Sequence, residues 1–346
     1  MKLPVDVADL LRSRTRLSED RAQPVRVAVF VDVEAPDALV EAVREALRPQ
    51  TSGARVHVEA CAPGETLIID PSADVVVALV GLGSTLERSL ASAREKFVPT
   101  IVLALDQGAD AVSRRLAHPL LDTIAAAESD AIVHALGRWL VDRINGKRLA
   151  MATNFVFMRR AVAEESIKAT SFQNGVVGLV AIIPGADMPI MTANQAKMVL
   201  QIAAAYGETL GTERIKELAV VLGGGFALRA VARQFLAFIP GFGWAVKAGI
   251  GYSGTLAMGY AAVEHFEAGG EMGALAAKVK NARDRTIEAA QARLKRGENV
   301  EEILPAHGYV VVSDEPSGVL SQTKTPELPS ARTAIAPPMP EGASAQ

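Results

Sequence analysis

A glycine-rich, charge-poor stretch between Ile182 and Phe266 constrains the fold of this chain more than any other feature. Residues 234–263 contain a single charged side chain, Lys247. Proline stands next to glycine at two points in the stretch, and this pair usually ends a helix. This pattern predicts helical hairpins that pack closely against one another or meet a membrane, and it does not resemble an active site.

A stripe of small residues is predicted on one face of the last helix in this stretch. Gly251, Thr255 and Gly259 are spaced i, i+4, i+8, and we expect Gly241 and Gly243 to extend the same packing surface. Small residues at this spacing let a second helix approach closely, which is a common packing device within membranes. Tight helix packing inside a soluble domain is the alternative interpretation.

Two corners of the chain are predicted next to these helices. Pro184-Gly185 forms the first corner and Pro240 begins the second. Asp187 follows the first corner, where we expect it to cap the next helix. A place in a proton or ion pathway is the alternative for this carboxylate.

The apolar runs are short for spanning a bilayer. Residues 234–246 and 248–263 form charge-free runs of 13 and 16 residues, and a spanning helix needs about 18 or more. A re-entrant or interfacial hairpin therefore fits better than a clean span. Seven basic residues upstream outnumber three acidic ones, which favours an anionic lipid surface or a solvated helix face: Arg138, Arg143, Lys147, Arg148, Arg159, Arg160 and Lys168, against Asp142, Glu164 and Glu165.

The first half of the chain alternates strands with helices. Apolar runs predict strands at 25–32, 55–60, 66–70, 74–81 and 99–105, with helices at 35–47 and 84–97 and a short strand before a helix within 123–144. This order predicts an α/β domain with a doubly wound, mostly parallel sheet.

The same order of elements resembles the core of Era/Ras-like GTPases. The loop after the first strand, residues 31–40, lacks the glycines and lysine that cradle phosphates, and Asp32, Glu34 and Asp37 would repel them. Asp110 alone stands near the position of the base-reading motif. The domain is therefore interpreted as a degenerate GTPase-like scaffold, with a divergent nucleotide site as the alternative.

Gly81 and Gly83 follow the fourth predicted strand. A glycine pair that opens a helix can bind an anion. It also suits a strand-to-helix turn with Ser84 as the N-cap, and the missing third glycine favours this turn.

Composition excludes several classes of protein. The net charge is -3 and the pI is about 6.0, which gives no basic surface for nucleic acid. The single cysteine, Cys61, fits a reducing compartment, and we expect no secretory signal. The five histidines are scattered along the sequence, so we predict no catalytic residue, no cofactor and no metal site.

Residues 160–270 resemble the bacterial domain of unknown function six-nine-seven. The resemblance lies in the two Pro-Gly corners, Gln195-x-x-Met198, the glycine-rich segment and the run from Gly243 to Gly259. It implies association with GTPase systems and membranes and supplies no catalytic residue. We therefore expect four parts: an N-terminal extension (1–24), the GTPase-like domain (25–145), an all-α, glycine-rich helical-hairpin domain (146–313) and a disordered tail (314–346).

Three functions follow from these observations. The first is a non-enzymatic, membrane-associated adaptor with a protein partner, for which a GTPase is one candidate, acting as a homo-oligomer on the cytoplasmic face of the bacterial inner membrane. The second is a divergent nucleotide-binding switch. The third is a soluble helical oligomerisation protein of the cytoplasm.

Overall fold

The computed structural model describes residues 7–62, 65, 67–81, 86, 90, 98–106, 121–144, 146–180, 187–212, 243–270 and 272–295. Within these residues there are eight helices and five strands. The strands are β1 (Val25–Asp32), β2 (Ala54–Cys61), β3 (Val75–Val80), β4 (Thr100–Leu105) and β5 (Asp122–Ala126). The helices are α1 (Val7–Ala22), α2 (Asp37–Ala46), α3 (Ser129–Arg143), α4 (Arg148–Asn154), α5 (Met158–Val180), α6 (Asp187–Ala205), α7 (Gly243–Glu267) and α8 (Met272–Lys295).

The five strands form one parallel sheet in the order β2-β1-β3-β4-β5. All six residues of β3 are buried, as continuous apolar runs require when helices cover both faces of a sheet. The predicted α/β class with a parallel sheet is confirmed. Flavodoxin-like sheets share this strand order, so the order does not by itself favour a GTPase.

Two hydrophobic clusters cover the two faces of the sheet. The smaller cluster includes Phe30, Val76 and Val102. The larger cluster starts from Val27, Val77 and the buried sides of α2 and α3, and it continues without a break into α4, α5, α6, α7 and α8. The sheet and the helices after residue 146 therefore share one core.

The helix α5 lies in the middle of the helical layer. It packs against α7, α6, α4 and α3. The helix α1 also belongs to this helical layer: it packs on α4 and α6, Leu10 and Leu17 are buried, and Lys197 forms an ion pair with Asp9 at 2.6 Å. Residues 7–22, expected only as an extension, thus form a packed helix.

Two local predictions were wrong. The predicted strand at 66–70 is not present, since residues 67–70 form no strand although Leu67 and Ile69 are buried. Asn174 and Gly175 are poor helix formers, so the sequence alone predicts a helix end there, but α5 continues through both residues to Val180. The Asn174 side chain bonds to neighbouring helices and so does not compete for its own backbone.

Several predicted features lie outside the described residues. These are the corners Pro184, Gly185, Pro240 and Gly241, the helix at 84–97 apart from Leu86 and Leu90, and the tail at 314–346. Among the described residues, no helix combines the length and apolar character that crossing a membrane requires.

Candidate functional site

The carboxyl ends of β1 and β3 define the place where ligands bind in sheets of this order. Asp32 ends β1 with a buried side chain, and its Oδ1 accepts a hydrogen bond from the Glu34 backbone N–H at 2.8 Å. The carboxylate therefore holds the turn after β1. Negative charge at this point disfavours a phosphate ligand.

Gly81, at the end of β3, lies directly against the loop that follows β1. A Cβ atom added to Gly81 would collide with the backbone carbonyl of Glu34. The close approach of the two loops explains why this position is glycine. Leu82, Gly83 and Ser84 lie outside the described residues.

We expect calorimetric titration of the full chain with GTP or ATP, in the presence of magnesium, to give no binding heat at millimolar nucleotide. The reasons are the buried Asp32 and the loop contact between Gly81 and Glu34 at the switch point. Micromolar binding that is lost in Asp110→Ala would instead support the divergent nucleotide switch.

Cys61 is the last residue of β2 and so lies at the same carboxyl end of the sheet. It is buried, and its burial, together with the charges of Glu59, Glu65 and Asp32, raises the pKa of the thiol to about 11. A thiol in this state is a poor nucleophile at neutral pH. Among the residues that the structure describes, no three His, Cys, Asp or Glu side chains come together as a group that could hold a metal ion.

The small-residue stripe of α7 faces α5. A Cβ on Gly251 would lie 2.7 Å from the Asn174 carbonyl oxygen, and a Cβ on Gly259 would lie 2.5 Å from Cγ1 of Ile167. The later residue of α7, Gly259, contacts the earlier residue of α5, Ile167, so the two helices are antiparallel. Gly243 and Asp187 are the first residues of α7 and α6.

Thr255, between the two glycines, is the centre of a buried polar network. Its Oγ1 accepts hydrogen bonds from Asn174 Nδ2 at 2.9 Å and from Gln195 Nε2 at 3.0 Å, and it donates one to the Gly251 carbonyl at 2.7 Å. This use of one donor and two acceptor positions saturates the hydroxyl group. Thr255 therefore contributes hydrogen bonds, as well as a small side chain, to the contact between helices.

The network connects four helices. Asn174 Oδ1 accepts from Asn194 Nδ2 at 3.0 Å, and Gln195 Oε1 accepts from Arg283 Nη1 at 3.4 Å. Arg283 is almost fully buried and its Nε donates to Asp284 Oδ1 at 3.1 Å, so this charge is partly neutralised within α8. Such a network fixes the mutual register of helices.

Sequence reasoning identified Thr255 as a site residue but missed its partners. The sequence indicates a helix end at Asn174, and it indicates that Arg283 belongs to the polar face of an amphipathic helix. A signal was present at Thr255, which is a polar residue within a largely apolar helix, because a buried polar side chain must find a partner. Nearby Ser171 is fully buried, and its Oγ has no hydrogen-bond partner among the described residues.

Large apolar side chains are exposed at one end of the helical layer. Phe172 and Val176 on α5 are 62% and 41% exposed, and Ile190 on α6 is 53% exposed. Phe172 and Val176 are one turn apart on the same face of α5. The end of α5 and the start of α6 flank residues 181–186, and α7 begins at this same end because it is antiparallel to α5.

Three of the basic residues upstream form ion pairs within the protein. Arg143 pairs with Asp122 at 2.8 Å, and Lys147 pairs with Asp74 at 2.7 Å. Arg160 pairs with Glu164 and with Glu267, each at 3.0 Å. These contacts favour an intramolecular role for the three charges over contact with anionic lipid.

No family model, curated protein or solved structure matches this chain. The resemblance of residues 160–270 to a domain of unknown function stays a prediction.

Proposed function

We propose that the protein is a non-enzymatic adaptor that associates with a membrane through the apolar end of its helical region. In this proposal residues 146–313 form an all-α module of helical hairpins, and the sheet, a degenerate GTPase-like scaffold, binds a protein partner that belongs to a GTPase system. The protein acts at the cytoplasmic face of the bacterial inner membrane.

The exposed side chains of Phe172, Val176 and Ile190 carry this proposal. Isolated apolar residues on a surface need no explanation, but three large ones at one end of a helical layer indicate an interaction surface. The charge-poor residues 181–186 and 234–246 adjoin the same end in sequence. Insertion of this end to the depth of the headgroups would bury these groups without a spanning helix.

A flotation experiment tests the lipid contact. The full chain is mixed with vesicles of neutral or anionic lipid, and we expect it to float with both. Because apolar burial is not screened by ions, high salt should release only a minority. We expect Phe172→Asp to reduce the floated fraction about tenfold, since burial of one phenyl ring contributes roughly 1.5–3 kcal/mol.

Val156→Asp is the matched control. Val156 is 51% exposed, close to Phe172 in this respect, but it lies just before the opposite end of α5. We expect this variant to float like the unmodified protein. A full-length protein that stays at the bottom of the gradient with every vesicle would support the soluble helical protein instead.

A further inference from the structure

The strand β2 forms one edge of the sheet. Among the described residues it pairs only with β1, along eight residues. Natural proteins usually protect such an edge with a short strand, a proline, a bulge or charged side chains such as lysine. The strand β2 contains neither proline nor lysine. Its charged residues, Arg55 and Glu59, have opposite signs and so do not repel a strand of complementary charge, and Val58 is 62% exposed. An edge of this kind can accept a further strand.

The hydrogen bonds to β1 show which backbone groups of β2 face outward. The N–H groups of Val25 and Val33 donate to the carbonyls of Gly53 and Cys61. In a parallel ladder, alternate residues bond to the same neighbour. The odd-numbered residues of β2 therefore face β1, and Ala54, Val56, Val58 and Ala60 present their N–H and C=O groups outward.

The sequence of β2 is complementary to itself about His57. The seven residues from Ala54 read Ala-Arg-Val-His-Val-Glu-Ala. In an antiparallel pair centred on His57, Val56 lies opposite Val58 of the second copy, and Arg55 lies opposite Glu59 of the second copy. In this register, residues whose backbone N–H and C=O groups face outward lie opposite one another in the two copies, as antiparallel hydrogen bonding requires. If the register of the two strands shifts by two residues, neither Arg–Glu pair forms.

We propose that two copies of this chain pair through β2, antiparallel about His57, and join their sheets into one sheet of ten strands. The interface is isologous, as a two-fold axis requires. One face brings together Val56 and Val58 of both copies, and the other carries two Arg–Glu pairs. Main-chain hydrogen bonds supply most of the affinity and the charges select the register. The proposed lipid contact does not use this edge.

Charge reversal tests the pairing, with the full chain studied by analytical ultracentrifugation in mild detergent. We expect Arg55→Glu alone, and Glu59→Arg alone, to raise the dimer dissociation constant about tenfold or more. Each change places like charges opposite one another at two symmetric positions. The double variant restores opposite charges, and so does a mixture of the two single variants, so both should dimerise.

The proposal is overturned if the unmodified chain is monomeric throughout, if the single variants dimerise as well as it does, or if neither the double variant nor the mixture recovers. The same variants should float with vesicles unchanged. Loss of dimerisation and loss of lipid contact can thus be told apart.

Cysteine cross-linking tests the register. In the proposed pair His57 faces itself, with a Cα–Cα distance of about 4.5 Å, which a disulfide can bridge. We expect His57→Cys to form a covalent dimer on mild oxidation. Arg55→Cys is the control on the same strand and face, because its counterpart would lie about 14 Å away. Native Cys61 is buried and should contribute little background. Equal cross-linking of the two variants would refute the register.

Discussion

Replacement of Gly259 by leucine is expected to lower the free energy of unfolding of the full chain by roughly 3 kcal/mol. Even a Cβ atom at this position would lie 2.5 Å from Cγ1 of Ile167, so a leucine forces α7 away from α5. Overpacking in a core typically costs about 1–3 kcal/mol, and a rigid β-branched neighbour places the cost at the upper end. Gly251→Leu should act similarly through the Asn174 carbonyl. Chemical denaturation followed by circular dichroism measures both.

Leu256→Met is the control on the same helix. Leu256 is buried one residue from Thr255, and the exchange nearly preserves volume, so we expect a loss below about 1.5 kcal/mol. If both glycine variants unfold at the same denaturant concentration as the unmodified chain, the stripe is not a contact surface.

The second large effect is expected from Thr255→Val, which preserves shape but removes the hydroxyl group. The side-chain N–H groups of Asn174 and Gln195 then lose a buried acceptor. Each buried polar group that loses its partner costs about 1–3 kcal/mol. Because Asn174 Nδ2 keeps a second acceptor in the Met191 carbonyl, we expect a total loss of roughly 2–4 kcal/mol, below the full sum for two groups. The same denaturation measurement applies.

Two further variants separate this polar role from packing. Thr255→Ser keeps the hydroxyl group and should lose only about 1 kcal/mol. Thr286→Val removes a hydroxyl group that bonds to the Ala282 carbonyl of its own helix, and this change should be close to neutral. A Thr255→Val protein as stable as the unmodified chain would mean that only residue size matters at position 255.

The strands were the most predictable part of the fold. Val75–Val80 is a continuous apolar run and Val25–Asp32 a nearly continuous one, and burial in a parallel sheet is the usual explanation for such runs. Residues 67–70 show the limit of that reasoning. Leu67 and Ile69 are buried, as a strand would require, but burial of alternate residues does not by itself supply a hydrogen-bonded neighbour.

The helical contacts were harder to predict because they depend on residues far apart in the sequence. Local propensity indicated a helix end at Asn174, whereas hydrogen bonds to Asn194 and Thr255 hold that side chain within a continuous helix. The spacing of Gly251 and Gly259 indicated a close neighbour but could not identify it as α5. The exposed Phe172 gave no local signal, since an apolar residue within a helix normally indicates a core.

The length of α5 determines how far the sheet can lie from a bilayer that the helical region contacts. The helix has 23 residues, which at about 1.5 Å per residue extends for roughly 35 Å. Its first turn is fixed in the shared core by Met158 and Val162, next to α3, while Phe172 and Val176 lie towards its far end. In a protein bound to lipid at that far end, α5 would act as a spacer between bilayer and sheet. With Phe172 at the headgroups, only the 14 residue steps from Met158 to Phe172, or roughly 21 Å of α5, would separate the shared core from the bilayer. That is less than the diameter of a 100-residue domain, so a partner on the sheet would also lie close to the bilayer.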